Sequence, residues 1–383
     1  MTDNVKDTKP TIAVVTLHNS PNYGSCLQTY ATQTVLSRIG ATPSIVDYYR
    51  HDAIPENETE RALNGQLAKK MPIFRIPGVK SLARIPVSRI VARRTKPLND
   101  FRQSSLALTN RKYYSVEALE QNPPQADIYC TGSDQVWNST WNEGFNKAFY
   151  LSFAPEGAKR IAYAASIGKS SLEDWEKPLM RDALKKYSHI SVREVEAAEL
   201  LDSIGVHGAV PVIDPTLMLN RDDWSVLRDD SVLPTGSYIL VYQLNKNHEF
   251  DQYVQRFASK VGLPVYRIAY GVHEKRKGEH TIVCPPVGGF VSLFMNAEYV
   301  ITDSFHGTAF SMNLGRKFVA ISPGRFSGRI MNLLGMTGET RHYLDDWRDL
   351  DIANQPIDHA HVAQVLETKR TETKAFLVKA INE

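Results

Sequence analysis

The chain alternates short apolar runs with stretches of helical periodicity. The first run, residues 11–17 (TIAVVTL), is rich in β-branched side chains, which is typical of a buried parallel strand. Apolar residues recur at helical spacing over residues 26–39, Gly40 stands where a C-cap glycine belongs, and a second strand pattern covers residues 43–48. This βαβ unit predicts a doubly wound parallel sheet and therefore an α/β fold.

The same alternation occurs twice along the chain. It pauses at residues 214–234, an Asp-rich stretch with Pro215 and Pro234 that has the character of a linker, and then restarts. We therefore predict two Rossmann-like domains that face a central cleft, with ligand-binding loops at the carboxyl ends of both sheets. The predicted units are residues 1–214, with a basic insertion at about residues 65–102, residues 215–356, and residues 357–383, a helix that crosses back to the N-terminal domain.

The composition excludes several classes of protein. The chain has 45 Lys and Arg against 42 Asp and Glu, a formal net charge of +3, with 42% hydrophobic and 23% charged residues. These values are ordinary for a globular protein, and they exclude a disordered chain, a fibrous repeat and a multi-span membrane protein. The nearly balanced charge gives no indication of a nucleic-acid partner.

Motifs for metals and common cofactors are missing from the sequence. The cysteines Cys26, Cys130 and Cys284 are scattered without a CxxC pair, and the eight histidines considered, from His18 to His306, form no close pair of ligand type, so we predict no metal. Without a GxGxxG motif a nicotinamide cofactor is not expected. Residues 1–10 lack the apolar stretch of a secretory signal, so the expected compartment is the cytoplasm. Cys26 is either an activated nucleophile near a helix N-terminus or a buried helix residue.

Two polar loops follow strands in the first predicted domain. In the first, Gly24 lets the backbone approach a ligand at a helix N-terminus, although Asn22 or Ser25 there could also serve only as a helix cap. In the second, Asp134 can hold a sugar hydroxyl or act as a base, and Trp137 can offer a flat apolar face. The alternative for this second loop is a capped turn with a structural tryptophan.

Further candidates follow later strands. Arg193 ends a strand and suits bidentate binding of a carboxylate or phosphate, or else a salt bridge with Glu194. His306 begins a helix whose first turn contains Gly307 and Thr308, so free N–H groups there could bind a phosphate and the imidazole could transfer a proton. The alternative for His306 is a cap or a packed polar residue.

The stretch from residue 69 to residue 102 interleaves basic residues with Ile, Phe, Leu and Pro, and only Asp100 opposes them. Such a segment fits contact with an anionic membrane surface or with a diphosphate, and its alternative is a solvated helical insertion. We expect a peripheral contact with the inner face of the membrane. Arg325 and Arg329, after a later strand, either neutralise a second anionic group or lie in solvent.

Six motifs together resemble the polysaccharide pyruvyl transferase family. They are NYGSCLQTYA, YCTGSDQVWN, IAYAASIG, ISVRE, DPTLML and ITDSFHGTAFS, in the family's order from about residue 11 to about residue 335. The resemblance implies two Rossmann-like domains in the GT-B arrangement of one large class of glycosyltransferases. It also implies an enzyme that moves a pyruvyl group from phosphoenolpyruvate to two hydroxyls of a sugar, forming a ketal and releasing phosphate.

By this match His306 is the general acid that protonates the methylene carbon, and Arg193 binds the donor's phosphate or carboxylate. Asp134 is the expected base on the acceptor side. Some family members have an arginine where this chain has Ser304, so the second anion ligand stays open between Arg325 and Arg329. The expected donor site is Arg193, Ser304, His306, Gly307, Thr308, Arg325 and Arg329, and the expected acceptor site is Asn22, Tyr23, Gly24, Ser133, Asp134 and Trp137.

The expected partners are phosphoenolpyruvate, as donor substrate rather than cofactor, and a sugar or a polyprenyl diphosphate-linked oligosaccharide. The products would belong to exopolysaccharide, capsule or cell-wall biosynthesis. One alternative is a GT-B glycosyltransferase that uses a nucleotide sugar, with Asp303 or Glu298 at the ribose. Another is a non-catalytic carbohydrate-binding relative, against which the intact His306 and Arg193 argue.

Overall fold

The structure of the chain is a computed structural model. The structure describes residues 9–54, 57, 59–60, 63, 79–271, 274–324 and 328–383. Most of the predicted basic insertion before Val79 lies outside the described residues, and so does Arg325.

A sheet of seven parallel strands, in the order β3-β2-β1-β4-β5-β6-β7, forms the first half of the molecule. Its strands are β1 (Thr11–Val15), β2 (Thr42–Tyr48), β3 (Leu108–Tyr113), β4 (Ile128–Thr131), β5 (Lys159–Ala165), β6 (His189–Val192) and β7 (Val210–Pro211). Its helices are α1 (Tyr23–Arg38), α2 (Val79–Ser105), α3 (Val116–Gln121), α4 (Glu176–Leu184) and α5 (Val195–Ser203). In the register, Val14 of β1 lies between Ile45 of β2 and Cys130 of β4.

The second half has five parallel strands in the order β10-β9-β8-β11-β12. They are β8 (Ile239–Tyr242), β9 (Val265–Ala269), β10 (His280–Val283), β11 (Tyr299–Thr302) and β12 (Lys317–Ala320). The helices are α6 (Pro215–Met218), α7 (Arg221–Ser225), α8 (His248–Val261), α9 (Val287–Asn296), α10 (Phe305–Asn313), α11 (Gly328–Thr337) and α12 (His359–Asn382). The predicted α/β fold with two Rossmann-like sheets is confirmed.

Both sheets reverse their strand order next to the first strand of the unit, between β1 and β4 and between β8 and β11. The carboxyl ends of strands at such a reversal are where doubly wound sheets bind ligands. The loops after β1, β4, β8 and β11 are therefore the first places to look for a site.

One apolar core joins the two sheets. Ile12 of β1 and Leu240 of β8 belong to the same buried cluster, together with Phe290 of α9 and Leu377 of α12. Strand residues of alternate register, such as Ala13, face a separate core on the outer side of the first sheet. This alternation follows from the two-residue period of a β-strand.

The helix α12 reaches the first sheet. The Nζ of Lys159, at the start of β5, donates a hydrogen bond to the carbonyl of Ile381 at 2.9 Å. The backbone N–H of Ile213 donates to Oγ1 of Thr373 at 3.4 Å. The domain boundaries at residues 214 and 356 stay predictions.

The structure differs from the sequence interpretation in two elements. The stretch at residues 214–234 contains α6 and α7, because Asp214 and Asn220 cap these helices and Trp224 is buried. The strand β3 lacked an apolar signal, because it lies at the sheet edge and leaves most of its residues partly or fully exposed. Within the described ranges no helix combines the length and apolarity needed to span a bilayer.

Candidate active site

Two helix N-termini meet where the two sheets face each other. Asn22 caps α1, and its Oδ1 accepts hydrogen bonds from the N–H groups of Gly24 and Ser25 at 2.7 and 3.3 Å. A Cβ atom on Gly24 would lie 2.2 Å from Nδ1 of His306, the second residue of α10. Gly24 therefore allows a contact between α1 and the candidate catalytic histidine that no other residue type permits.

The first turn of α10 satisfies part of its own backbone. The Oγ of Ser304 accepts from the N–H of Gly307 at 3.3 Å, and the hydroxyl of Thr308 donates to the carbonyl of Ser304 at 3.0 Å. A Cβ on Gly307 would lie 2.2 Å from Oγ1 of Thr302. Ser304, Gly307 and Thr308 thus shape the turn that presents His306, and the Gly307 N–H is already bonded rather than free for a phosphate.

Asp214 is the buried acid that joins the candidate residues. It accepts from Nη1 of Arg193 at 2.7 Å and from Oγ of Ser133 at 3.3 Å, and it lies 3.7 Å from Nε2 of His306. Its other oxygen accepts from the N–H and the hydroxyl of Thr216. Burial alone would raise the pKa of Asp214, but His306 and Arg193 hold that pKa well below its usual range. Asp214 is therefore a carboxylate at neutral pH.

The guanidinium of Arg193 donates hydrogen bonds to two acidic residues, and one of its nitrogens has no hydrogen-bond partner. Its Nε donates to Oε1 of Glu194 at 3.1 Å, and its guanidinium lies 4.5 Å from the ring centroid of Phe305. Burial acts to lower the pKa of Arg193, but Glu194 and Asp214 raise it above its ordinary value. The salt bridge with Glu194 exists, yet Nη2 of Arg193 has no hydrogen-bond partner.

A second guanidinium approaches the same ring. Arg329 of α11 lies 5.9 Å from the ring centroid of Phe305. Burial and the charge of Arg193 lower the pKa of Arg329 to about 10. Two cations on one phenyl ring repel each other, so an anion bound between them would be favourable.

Asp134 holds a strained position after β4. Its φ is 76°, and its carbonyl accepts from the N–H groups of Val136 and Ser166 at 2.7 and 3.0 Å. The Oγ of Ser25 donates to its carboxylate at 2.5 Å. Burial acts to raise the pKa of Asp134, but His306 and Arg193 bring it below the ordinary value. Asp134 is thus an ionised acceptor whose charge interacts with His306 and Arg193.

The site contains buried polar atoms that have no partner. They are Nη2 of Arg193, Oε2 of Glu194, Nε2 of His306 and Nε of Arg329. Buried donors and acceptors are nearly always satisfied in folded proteins. Their concentration around Phe305 and Asp214 indicates a binding place for a small, highly polar ligand.

Two predicted acceptor residues are used by the fold itself. Tyr23 is 1% exposed, its hydroxyl donates to the carbonyl of Pro285 at 2.6 Å, and its ring stacks on Phe290. Trp137 is equally buried, and its Nε1 donates to the carbonyl of Phe149 at 3.0 Å. Sugar binding by either ring therefore stays a prediction, and the contacts of Tyr23 and Trp137 do not support it.

Sequence reasoning missed two residues of the cluster as site members. Asp214 was assigned to a linker, and Glu194 was considered only as a salt-bridge partner of Arg193. The one available signal for Asp214 was its place at the start of the DPTLML motif. Its contacts with residues 133, 193 and 306 arise only on folding.

The residues that a nucleotide-sugar site or a nucleophilic cysteine would need are engaged or buried. Both carboxylate oxygens of Asp303 accept hydrogen bonds, from the backbone of Leu244 and from Asn245. Glu298 pairs with Lys317 on the surface at 2.7 Å. Cys26 is fully buried, and burial raises the pKa of its thiol to about 12, so it is not an activated nucleophile. In the described part of the chain no three His, Cys, Asp or Glu side chains form a metal-binding group.

Solved structures with similar folds define the architecture. The chain is similar to UDP-N-acetylglucosamine 2-epimerase from Rickettsia bellii, at 11% identity and a TM-score of 0.51 over 98% of each chain. It is also similar to UDP-GlcNAc 2-epimerase from Methanocaldococcus jannaschii, at 13% identity and a TM-score of 0.50, over 91% of this chain and 92% of that one. These likenesses concern the fold alone, which is the two-domain GT-B architecture.

The family is shown by sequence. The polysaccharide pyruvyl transferase model matches residues 22–325, and the chain therefore belongs to that family. Membership makes the protein a transferase of polysaccharide biosynthesis with a sugar or polysaccharide acceptor. A search of curated protein sequences finds no match.

Proposed function

We propose that the protein transfers the three-carbon group of phosphoenolpyruvate to two hydroxyls of one sugar, forming a pyruvate ketal and releasing phosphate. The observation that carries this proposal is the set of unpartnered buried atoms on Arg193, Arg329 and His306. Phosphoenolpyruvate bears a carboxylate and a phosphate on adjacent groups, and two guanidinium groups around one ring match that pair of anions. We assign no separate cofactor and no metal to the reaction.

His306 is the proposed general acid. It gives a proton to the methylene carbon, so that the central carbon becomes an oxocarbenium-like centre with its phosphate still attached. Asp214 lies 3.7 Å from Nε2 of His306 and stabilises the imidazolium before the transfer. Arg193 and Arg329 hold the anionic groups of the donor while the charge on the central carbon changes.

Asp134 is the proposed base for the acceptor. The first sugar hydroxyl attacks the central carbon and loses its proton to Asp134. The second hydroxyl then displaces phosphate from the same carbon, and its proton leaves with the phosphate. Each turnover therefore forms two C–O bonds, breaks one C–O bond to phosphate and adds one hydrogen to the methylene carbon.

The acceptor we propose is a sugar of a polysaccharide precursor, including precursors linked to a polyprenyl diphosphate, for exopolysaccharide, capsule or cell wall. The reaction would take place in the cytoplasm, where phosphoenolpyruvate is produced. We do not propose a nucleotide sugar as donor, because Asp303 and Glu298 are both engaged by neighbouring groups.

The direct test is incubation with phosphoenolpyruvate and a panel of simple and lipid-linked sugars, following phosphate release and the mass of the sugar together. Equal release of phosphate and gain of a pyruvyl group supports the proposal. Thermal shifts with phosphoenolpyruvate and with nucleotide sugars separate it from glycosyl transfer. Phosphate release without a change in sugar mass, or stabilisation only by nucleotide sugars, contradicts it.

His306→Ala should abolish phosphate release, and it should also lower the melting temperature, because the buried carboxylate of Asp214 loses one of the groups that compensate its charge. The matched control is His207→Ala, which removes a surface histidine that also pairs with an aspartate. The control should keep full activity. Near-normal turnover of His306→Ala would exclude the histidine as the general acid.

A further inference from the structure

The solvent-facing side of α2 has no part in the chemistry proposed above. Leu82, Ile85, Arg89, Arg93 and Lys96 follow one another at intervals of three or four residues, so they form one stripe along the helix. All five side chains are exposed, and Leu82 and Ile85 are 80% and 63% exposed. We call these five residues the outer stripe.

The opposite side of α2 packs on the protein. Val87 and Leu98 are buried, and Val91 and Arg94 between them are partly buried. The guanidinium of Arg94 lies 5.2 Å from the ring centroid of Tyr270, in the loop after β9. Since α2 is anchored by this second stripe, the outer stripe is exposed on a packed helix, and four of its residues, Ile85, Arg89, Arg93 and Lys96, also stand at the wall of a cavity.

The outer stripe combines apolar and basic residues. Ile90 beside it is 67% exposed, which adds a third large aliphatic side chain. Within the described chain Arg89 and Arg93 form no salt bridge with an acidic residue, whereas Lys96 pairs with Asp100. Asp100 is the only acid between Val79 and Ser105. Exposed aliphatic side chains beside uncompensated arginines are typical of a helix that lies on an anionic interface.

The stripe borders a cavity at the carboxyl ends of the first sheet. The cavity is about 900 Å³, and Arg89 and Arg93 line it together with Asn19, Asp47 and Tyr49, which follow or end β1 and β2. A surface that meets the outer stripe would therefore lie beside the first half of the molecule, which contains the residues expected to bind the acceptor, such as Asp134.

We propose that the outer stripe docks on an anionic lipid bilayer. Leu82, Ile85 and the neighbouring Ile90 enter the boundary between headgroups and acyl chains, and Arg89 and Arg93 contact the lipid phosphates. This docking goes beyond pyruvyl transfer and does not depend on it. It brings the mouth of the cavity to the membrane surface without a spanning helix.

The test is co-sedimentation of the full chain with vesicles of phosphatidylcholine, alone or mixed with phosphatidylglycerol. Binding should require phosphatidylglycerol and weaken with added salt, because surface charges are screened. Arg89→Glu/Arg93→Glu should reduce the partition coefficient at least about tenfold, because two side chains that the anionic surface attracts are replaced by two that it repels. Leu82→Ser/Ile85→Ser should weaken binding at high salt as well.

The matched control is Lys185→Glu/Lys186→Glu, an equal charge reversal at exposed positions just after α4. It should bind vesicles as the unmodified protein does, and all variants should keep activity on a soluble sugar. No sedimentation with anionic vesicles overturns the proposal, and so does equal binding to neutral ones. A dimer in sedimentation velocity that Leu82→Ser/Ile85→Ser dissociates would assign the stripe to a second copy of this chain instead.

Discussion

At the scale of single residues, the site depends on one buried carboxylate. Asp214 contacts Arg193 and Ser133 and lies 3.7 Å from His306. A buried charge is tolerated only when other groups compensate it, and here the compensation comes from the residues that we assign to donor binding and proton transfer. The same carboxylate therefore holds together the residues of the candidate site.

The pH dependence of stability should change when Asp214 is replaced. Because the folded pKa of Asp214 is lower than its ordinary value, the carboxylate stabilises the protein above pH about 4, and this contribution is lost as the pH falls through and below that value. The difference in free energy of unfolding between the unmodified protein and Asp214→Asn should therefore shrink from pH about 6 to about 3.

Urea titrations at several pH values measure this difference. Asp345→Asn, at an exposed surface position, is the control for a change of one carboxyl group. A difference for Asp214→Asn that stays constant over the whole range would show that the pKa of Asp214 does not change on folding, and a difference that grows as the pH falls would show that its folded pKa is raised.

At the scale of elements, the close approach of α1 and α10 brings the two halves of the site together. Gly24 and His306 lie in the first turns of these helices, each of which begins directly after a strand loop. The contact is so tight that even a methyl group on Gly24 would overlap the imidazole. The position of His306 is therefore constrained by a helix residue of the other half of the molecule.

Gly24→Ala should lower kcat by roughly tenfold or more, because moving a reacting group by about 1 Å can cost that much or more. The KM for phosphoenolpyruvate should change less, since the arginines are not displaced. The measurement is steady-state phosphate release. Gly335→Ala in α11 is the matched control, because nothing lies within 4 Å of a Cβ there. If both variants had the same kcat, the contact with His306 would have no catalytic consequence.

The elements also show how far a local pattern can predict a structure. The strand patterns at residues 11–17 and 43–48 correspond to β1 and β2, because apolar periodicity reports which face of an element is buried. The edge strand β3 gave no such signal. Trp137 and Tyr23 were assigned to a ligand from their loops, yet their polar atoms bond to carbonyls of Phe149 and Pro285. A position in a loop predicts that a side chain can reach a ligand, but only the packing decides whether an aromatic ring is available to bind one.

At the scale of the whole molecule, the two sheets share one apolar core. Residues of β1, β8, α9 and α12 belong to the same buried cluster. The hydroxyl of Tyr23 crosses from α1 to the carbonyl of Pro285, just before α9. This continuity indicates that the two halves unfold together rather than as independent domains.

Tyr23→Phe should lower the free energy of unfolding by about 1–3 kcal/mol, because it leaves a buried carbonyl without a donor. A single transition should shift as a whole in urea, whether followed by fluorescence or by circular dichroism. The control is Tyr129→Phe, whose lost hydrogen bond to Pro124 lies within the first half. Two separate transitions, with only one displaced, would contradict a shared core.

By itself the sequence determined the class of fold, the family and the loops that supply the candidate site. These follow from local periodicity and from motifs such as ITDSFHGTAFS, which are complete within a few residues. Only the tertiary structure decided that Asp214 joins Arg193 to His306, that Gly24 touches the imidazole, and that one side of α2 stays uncovered. Each of these depends on segments far apart in the chain, and their distances are set by the packing of the two sheets around a common core.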